Sequence, residues 1–92
     1  MTTVGEKVEF ENDRVKVVRV TLTAGAKHPV HARKDRVLIW LTGGHHVRTD
    51  SKGKKEELRR QAGDVAWRTA SEHQIENLAK EKSEVIIVEL KQ

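Results

Sequence analysis

Five histidines, His28, His31, His45, His46 and His73, are the side chains of this 92-residue chain best suited to chemistry near neutral pH. Imidazole can ligate a metal or move a proton. A metal centre asks three or four imidazole or carboxylate groups to converge at about 2.0–2.3 Å from one ion. Residues two apart on a strand share a face, so His-x-His is the economical half of such a centre. The chain has instead His31-Ala32-Arg33, followed by Asp35 and Arg36. It has no cysteine, so neither a disulfide nor a thiolate site is available.

The elements that must position these residues are strands. Hydrophobic residues make up 36% of the chain and charged residues 35%, and the aromatics are Phe10, Trp40 and Trp67 alone, so the core has to be Val, Ile and Leu. Val15-Lys16-Val17 and Val18-Arg19-Val20-Thr21-Leu22 alternate with period two, and the Val17-Val18 doublet between them shifts the phase by one, which predicts a bulge or a change of sheet. Val37 to Leu41 and Val85 to Val88 read as strands covered on both faces. The best helical window, Lys54 to Gln61, has only Leu58 as an apolar residue and so no face to dock. Gly43-Gly44 signals a hairpin, Lys52 to Lys55 a solvated hairpin tip, and Pro29 a loop. Residues 1–6 are expected to form a flexible N-terminus and residues 7–92 one all-β sandwich or barrel.

Charge and hydropathy narrow the classes of partner. The formal charge is +4, but the cations are spread. The most basic stretch, Arg48 to Arg60, holds six cations and three anions with no aromatic to stack a base, so nucleic acid is not the expected partner. Apolar runs such as Val85-Ile86-Ile87-Val88 are far shorter than a membrane span, and a cytoplasmic protein without a membrane partner is expected. A core this small calls for a ligand, a metal or a partner subunit.

Two segments carry a resemblance. Gly25 to Gly43, with His31 between them, resembles the first cupin motif, G-x5-H-x-H-x3/4-E-x6-G. Gly63 to Asn77, with His73 three residues before the Asn, resembles the second motif, G-x5-P-x-G-x2-H-x3-N. Glu11-Asn12-Asp13-Arg14-Val15, Leu41-Thr42-Gly43-Gly44 and Gly63 to His73 are similar to stretches of small single-domain bacterial cupins of the type associated with β-alanine degradation. The resemblance covers about Glu11 to Leu90. It implies a cupin-type antiparallel jelly-roll barrel and, from family habit together with the small size, a homodimer.

The resemblance also implies a metal bound by two histidines and a glutamate of the first motif and the histidine of the second. Only His31 and His73 carry over; Arg33 and Arg36 stand at the second histidine and acidic positions, and Thr69 and Ser71 replace the Pro and Gly of the second motif. Arginine keeps its proton and cannot ligate, and each unit-charge pair at about 4 Å costs about 4 kcal/mol at an effective dielectric near 20. The expected site is therefore metal-poor. His31, Arg33, Arg36, Trp40, Trp67, His73 and Asn77 would surround a small carboxylate or phosphate, which guanidinium forks match bidentately.

His31 and His73, kept neutral by neighbouring guanidinium groups, are the candidate acid–base residues. The alternative is a metal-dependent cupin enzyme of isomerase or dioxygenase type, holding Ni, Mn, Fe or Zn with His31 and His73 plus His28 or Asp35. A third reading is a structural or nucleic-acid-associated barrel using the surface from Arg48 to Arg60. Competing placements stay open at this stage. Arg33 and Arg36 could lie at the rim, paired with Asp35, Glu72 or Glu76, and His31 and His73 could be satisfied locally, for instance by Asn77. His45 and His46 read as exposed strand residues.

Overall fold

Alternating Val-rich runs become strands when their two faces meet different surroundings, and here nine of them pair into two antiparallel sheets. A computed structural model describes residues 4–91, with the side chains of Val4, Pro29, Val30 and His31 outside the description. The strands are β1 (Val4–Glu11), β2 (Val15–Leu22), β3 (Lys27–Arg33), β4 (Arg36–Trp40), β5 (Gly44–Asp50), β6 (Lys55–Arg60), β7 (Val65–Arg68), β8 (Ser71–Asn77) and β9 (Ser83–Leu90). A five-stranded sheet in the order β1-β2-β9-β4-β7 faces a four-stranded sheet in the order β3-β8-β5-β6. No helix occurs among the described residues, and none could cross a membrane.

The interior is built by alternate residues of β2, β4, β8 and β9. Val18, Val20, Leu22, Ala26 and Ile87 form the buried cluster, with Leu38, Ile75 and Val85 packed against it. The Val17-Val18 doublet is absorbed opposite itself: β2 runs against β9 without a break, while β1 carries the irregularity between Val8 and Phe10. The N-terminal expectation is corrected here, because β1 begins at Val4 and pairs it with Leu22, so residues 4–6 are strand.

Two local readings change for topological reasons. Gly43-Gly44 does not make a hairpin: β4 already has β9 on one side and β7 on the other, so the chain after Trp40 has to cross to the other sheet. Pro29 lies in β3, not in a loop, at the register shift between His28 and His31 on an edge strand, where a missing N–H breaks no ladder bond. The tip between β5 and β6 is a turn, as its composition predicts. Asp50 Oδ1 accepts from Lys52 N and Lys54 N, both at 2.9 Å, and Gly53 takes the left-handed backbone at φ 85°.

Candidate functional site

Between the sheets lies a cavity of about 80 Å³, space for roughly half a dozen waters at about 10–15 Å³ each. The period-two alternation of β4 turns Arg36, Leu38 and Trp40 to this interior together, and the register of β7 brings Arg68 opposite Arg36 and Ala66 opposite Leu38. Arg33 from β3, Arg48 from β5 and His73 and Ile75 from β8 line the facing side. Val20, Leu22, Val85 and Ile87 supply an apolar floor.

Four guanidinium groups therefore share one small cavity, and their partners are unequal. Arg33 donates to Glu6 Oε1 at 3.3 Å, and Arg48 is paired with Glu56. Arg36, 1% exposed, donates only to the backbone carbonyls of Lys34 and Thr69, each at 3.1 Å. Burial, then the charges of Arg33, Arg48 and Arg68, lower its pKa to about 10, with Glu89 opposing the shift. Burial and the Arg48 guanidinium also hold Arg68 below the usual arginine range. Among the described residues neither Arg36 nor Arg68 has a carboxylate within ion-pair distance. Like charges directly opposite across a strand pair are unfavourable unless something between them is negative.

Unused donors accompany the unpaired cations. Trp40 Nε1, Arg60 Nε and Arg68 Nε are buried with no acceptor among the described residues. The Arg60 guanidinium stands 5.0 Å from the centre of the Trp40 ring. A pocket rich in donors and short of acceptors suits a ligand that brings acceptors and negative charge.

The histidines divide. His28 and His73 line the cavity, and His28 Nε2 lies 3.7 Å from Glu6 Oε2, while Ser71 Oγ is 3.4 Å from His73 Nδ1. His31 pairs in register with His73 across β3 and β8, but its side chain lies outside the described residues. Contrary to expectation, His46 also lines the cavity and is buried at 4%, with Nε2 2.9 Å from Ser83 Oγ; burial pushes its pKa below 6.5, helped by His45 and Arg60. Its ring explains Gly44, since a Cβ there would come within 2.5 Å of His46 Cε1. His45 faces the other way and meets Glu57 at 3.0 Å.

Three residues expected at the site sit elsewhere. Trp67 is 52% exposed and pairs with Val37 on the outer face of the sheet, because its neighbour Arg68 takes the inward position. Asn77 is fully buried, but its amide donates to the carbonyls of Leu22 (3.0 Å), Thr23 (3.2 Å) and Glu81 (3.0 Å), and its Oδ1 accepts from Ala79 N at 2.9 Å. It ties loops together instead of facing the cavity. Asp35 Oδ1 accepts from Ala70 N at 2.7 Å, which fastens the β3–β4 turn to the β7–β8 turn. Rim pairing of Arg33 and Arg36 with Asp35, Glu72 or Glu76 is absent from the ion pairs of the described residues.

Sequence reasoning missed Arg48, Arg68 and His46. The alternation His46-Val47-Arg48 and Ala66-Trp67-Arg68 was available, but which phase points inward depends on strand partners distant in sequence.

The cavity wall departs from the cupin metal pattern at two of its four ligand positions. Its second histidine and acidic positions hold Arg33 and Arg36, both on the cavity wall, and Arg48 and Arg68 add two further cations. No group of three His, Asp or Glu side chains among the described residues could hold an ion. The donor chemistry opposes a divalent cation and favours an anion.

The two facing sheets, their strand order and the interior pocket define the class: this is a cupin fold, an all-β jelly roll forming a single small barrel. The chain is similar to a cupin domain from Bordetella pertussis Tohama I, at 22% identity over 97% of this chain and 94% of that one, with a TM-score of 0.89. It is also similar to an RmlC-like cupin family protein with a double-stranded β-helix fold from Methanocaldococcus jannaschii (16% identity, 96% and 80% covered, TM-score 0.75). A cupin domain from Schizosaccharomyces pombe matches at 17% identity, covering 100% of this chain and 69% of that one, with a TM-score of 0.76. No protein-family model matches the chain, and no curated protein matches it.

Proposed function

We propose that this cupin barrel binds a small organic anion, a carboxylate or a phosphate, in its arginine-lined cavity. The observation that carries the reading is the pair of buried Arg36 and half-buried Arg68, opposite one another on β4 and β7 and without a carboxylate at ion-pair distance among the described residues. A bound anion would accept from both forks and relieve their mutual repulsion. The apolar floor of Leu38, Val85 and Ile87 would take the hydrocarbon part of the ligand, which separates an organic anion from a bare inorganic one. His73 faces the same space and is the group placed to exchange a proton with such a ligand.

The test is thermal unfolding against increasing inorganic phosphate and small mono- and dicarboxylates, at constant ionic strength set with chloride. A saturable rise in Tm is expected for at least one of these anions. No response beyond the chloride control would overturn the reading. So would elemental analysis showing one Ni, Mn, Fe or Zn per chain after dialysis against each metal, an outcome that promotes the metal-enzyme alternative.

A further inference from the structure

The wall of the cavity is graded along the barrel axis. Two short connections define one end: β3 passes to β4 between Arg33 and Arg36, and β7 to β8 between Arg68 and Ser71, so Arg33, Arg36, Arg68 and His73 gather there. The charge of Arg48 acts on both Arg36 and Arg68, which adds it to the same end. Two residues further along β4 the wall is apolar, with Leu38 in register between Ala66 and Ile87. Two residues beyond that, Trp40 stands level with Val85, and the other sheet contributes Leu58 paired with His46. From Arg36 to Trp40 the strand rises about 13 Å at ~3.3 Å per residue. The far end offers a ligand carbon. Trp40 is 4% exposed, its Nε1 has no surface open to water, and its backbone N–H and carbonyl are bonded to Asp64 O and Gly63 N, so the cavity meets only the carbon of the ring. Arg60 stands 5.0 Å from the centre of that ring and is not part of the cavity wall.

We infer that the ligand is a short-chain aliphatic monocarboxylate, held with its carboxylate between Arg36 and Arg68 and its tail end-on against Trp40, which sets the longest chain admitted. This rests on the anion-binding reading above and narrows it to one class. Size gives the chain length: at ~10–15 Å³ for each water-sized group, a cavity of about 80 Å³ takes about six to eight heavy atoms, which is an acid of about four to six carbons. Charge gives the head group. A phosphate would fill most of that space with its own five atoms and leave the apolar wall of Leu38, Val85 and Ile87 uncovered. A dicarboxylate would press its second charge on Trp40, Leu58 and Val85, where the cavity wall has no arginine to receive it and burial of an unpaired charge is costly. A single carboxylate with a hydrocarbon tail matches both ends at once, because guanidinium forks meet its two oxygens and each methylene removes apolar wall from water. Trp40 is thus a specificity-determining residue that never touches the charged group.

The experiment is calorimetric titration of the full chain with the straight-chain acids from acetate to octanoate, and with phosphate and glutarate. Binding should tighten about fourfold for each methylene, pass through a maximum between butanoate and hexanoate, and weaken at octanoate, whose tail overfills a closed wall. Phosphate and glutarate should bind more weakly than pentanoate. Orientation is read by fluorescence in Trp67→Phe, which leaves Trp40 as the one emitter and replaces a side chain that is 52% exposed on the outer face. There 5-bromopentanoate should quench Trp40 strongly and 2-bromopentanoate little, because only the first carries its bromine at the tail. Trp40→Leu should move the tightest-binding acid to a longer chain; the wild-type series and the bromo acids decide the matter even if that variant fails to fold. A series without a maximum, equal quenching by the two bromo acids, or tighter binding of phosphate or glutarate than of pentanoate overturns this inference and leaves the anion site standing. No response to any of the anions removes both.

Discussion

Replacing Arg36 with Met separates a ligand-binding arginine from a structural one. Arg36 is 1% exposed, and burial lowers its pKa from the ordinary arginine range to about 10, so holding it charged costs the folded protein about 3 kcal/mol at ~1.4 kcal/mol per pH unit. Methionine is unbranched and flexible, fills most of the same space and removes that cost. It also removes the two hydrogen bonds to the carbonyls of Lys34 and Thr69, worth about 1.5–3 kcal/mol each for a charged donor. The relieved cost offsets at least half of the lost bonds, and without anion Arg36→Met should be destabilised by no more than about 3 kcal/mol, where an ordinary buried truncation costs about 2–5 kcal/mol. With an anion at ten times its Kd the wild type gains about 1.4 kcal/mol, a rise of about 6–11 °C in Tm for a domain of this size. The variant should gain almost none of it.

Urea or thermal unfolding with and without phosphate or a small carboxylate measures both quantities. The pH dependence gives a second readout. As pH rises through about 10 the folded state releases the Arg36 proton while the unfolded chain keeps it up to the ordinary arginine range, so this group's contribution to stability increases above pH 10, and Met abolishes the increase. Loss of more than ~3 kcal/mol without anion, or an undiminished anion response, would refute the reasoning.

Two further predictions concern His46 in the cavity wall and Asn77, which does not line it. His46 is held neutral by burial, so below pH 6.5 the unfolded chain gains a proton that the folded chain resists, and stability falls with acidity; His46→Gln should flatten that fall in urea midpoints taken between roughly pH 7.5 and 5. Asn77→Ala deletes four hydrogen bonds inside the fold and should cost about 3 kcal/mol in unfolding free energy, while the anion-induced increment in stability is retained because the side chain serves the loops and not the cavity.

Physical reasons explain which parts were legible beforehand. Alternation and turn chemistry are local, so the all-β class, the polar tip at Asp50 to Lys54 and the strands around Val20, Leu38 and Ile87 could be read directly from residue order. The inward placement of Arg36 and Trp40 followed from one choice of phase on β4, and Arg33 and His73 also line the cavity. Asn77 and Trp67 were misplaced for opposite reasons. A buried amide satisfies the backbone as readily as a ligand, and a tryptophan on a strand does not announce its face.

By itself, then, the residue order determined that this chain pairs strands, that it has no thiolate chemistry, and that arginines stand where the cupin pattern has metal ligands. Tertiary structure decided the rest. Arg48 and Arg68 join Arg33 and Arg36 only because β5 and β7 occupy opposite sheets with their inward phases aligned, and Glu6 and Glu56 reach two of the four from edge strands. Which cations stay unpaired is a sum over elements far apart in the chain, since charge acts through space at a few ångströms and the spacing of residues along the backbone does not encode that distance.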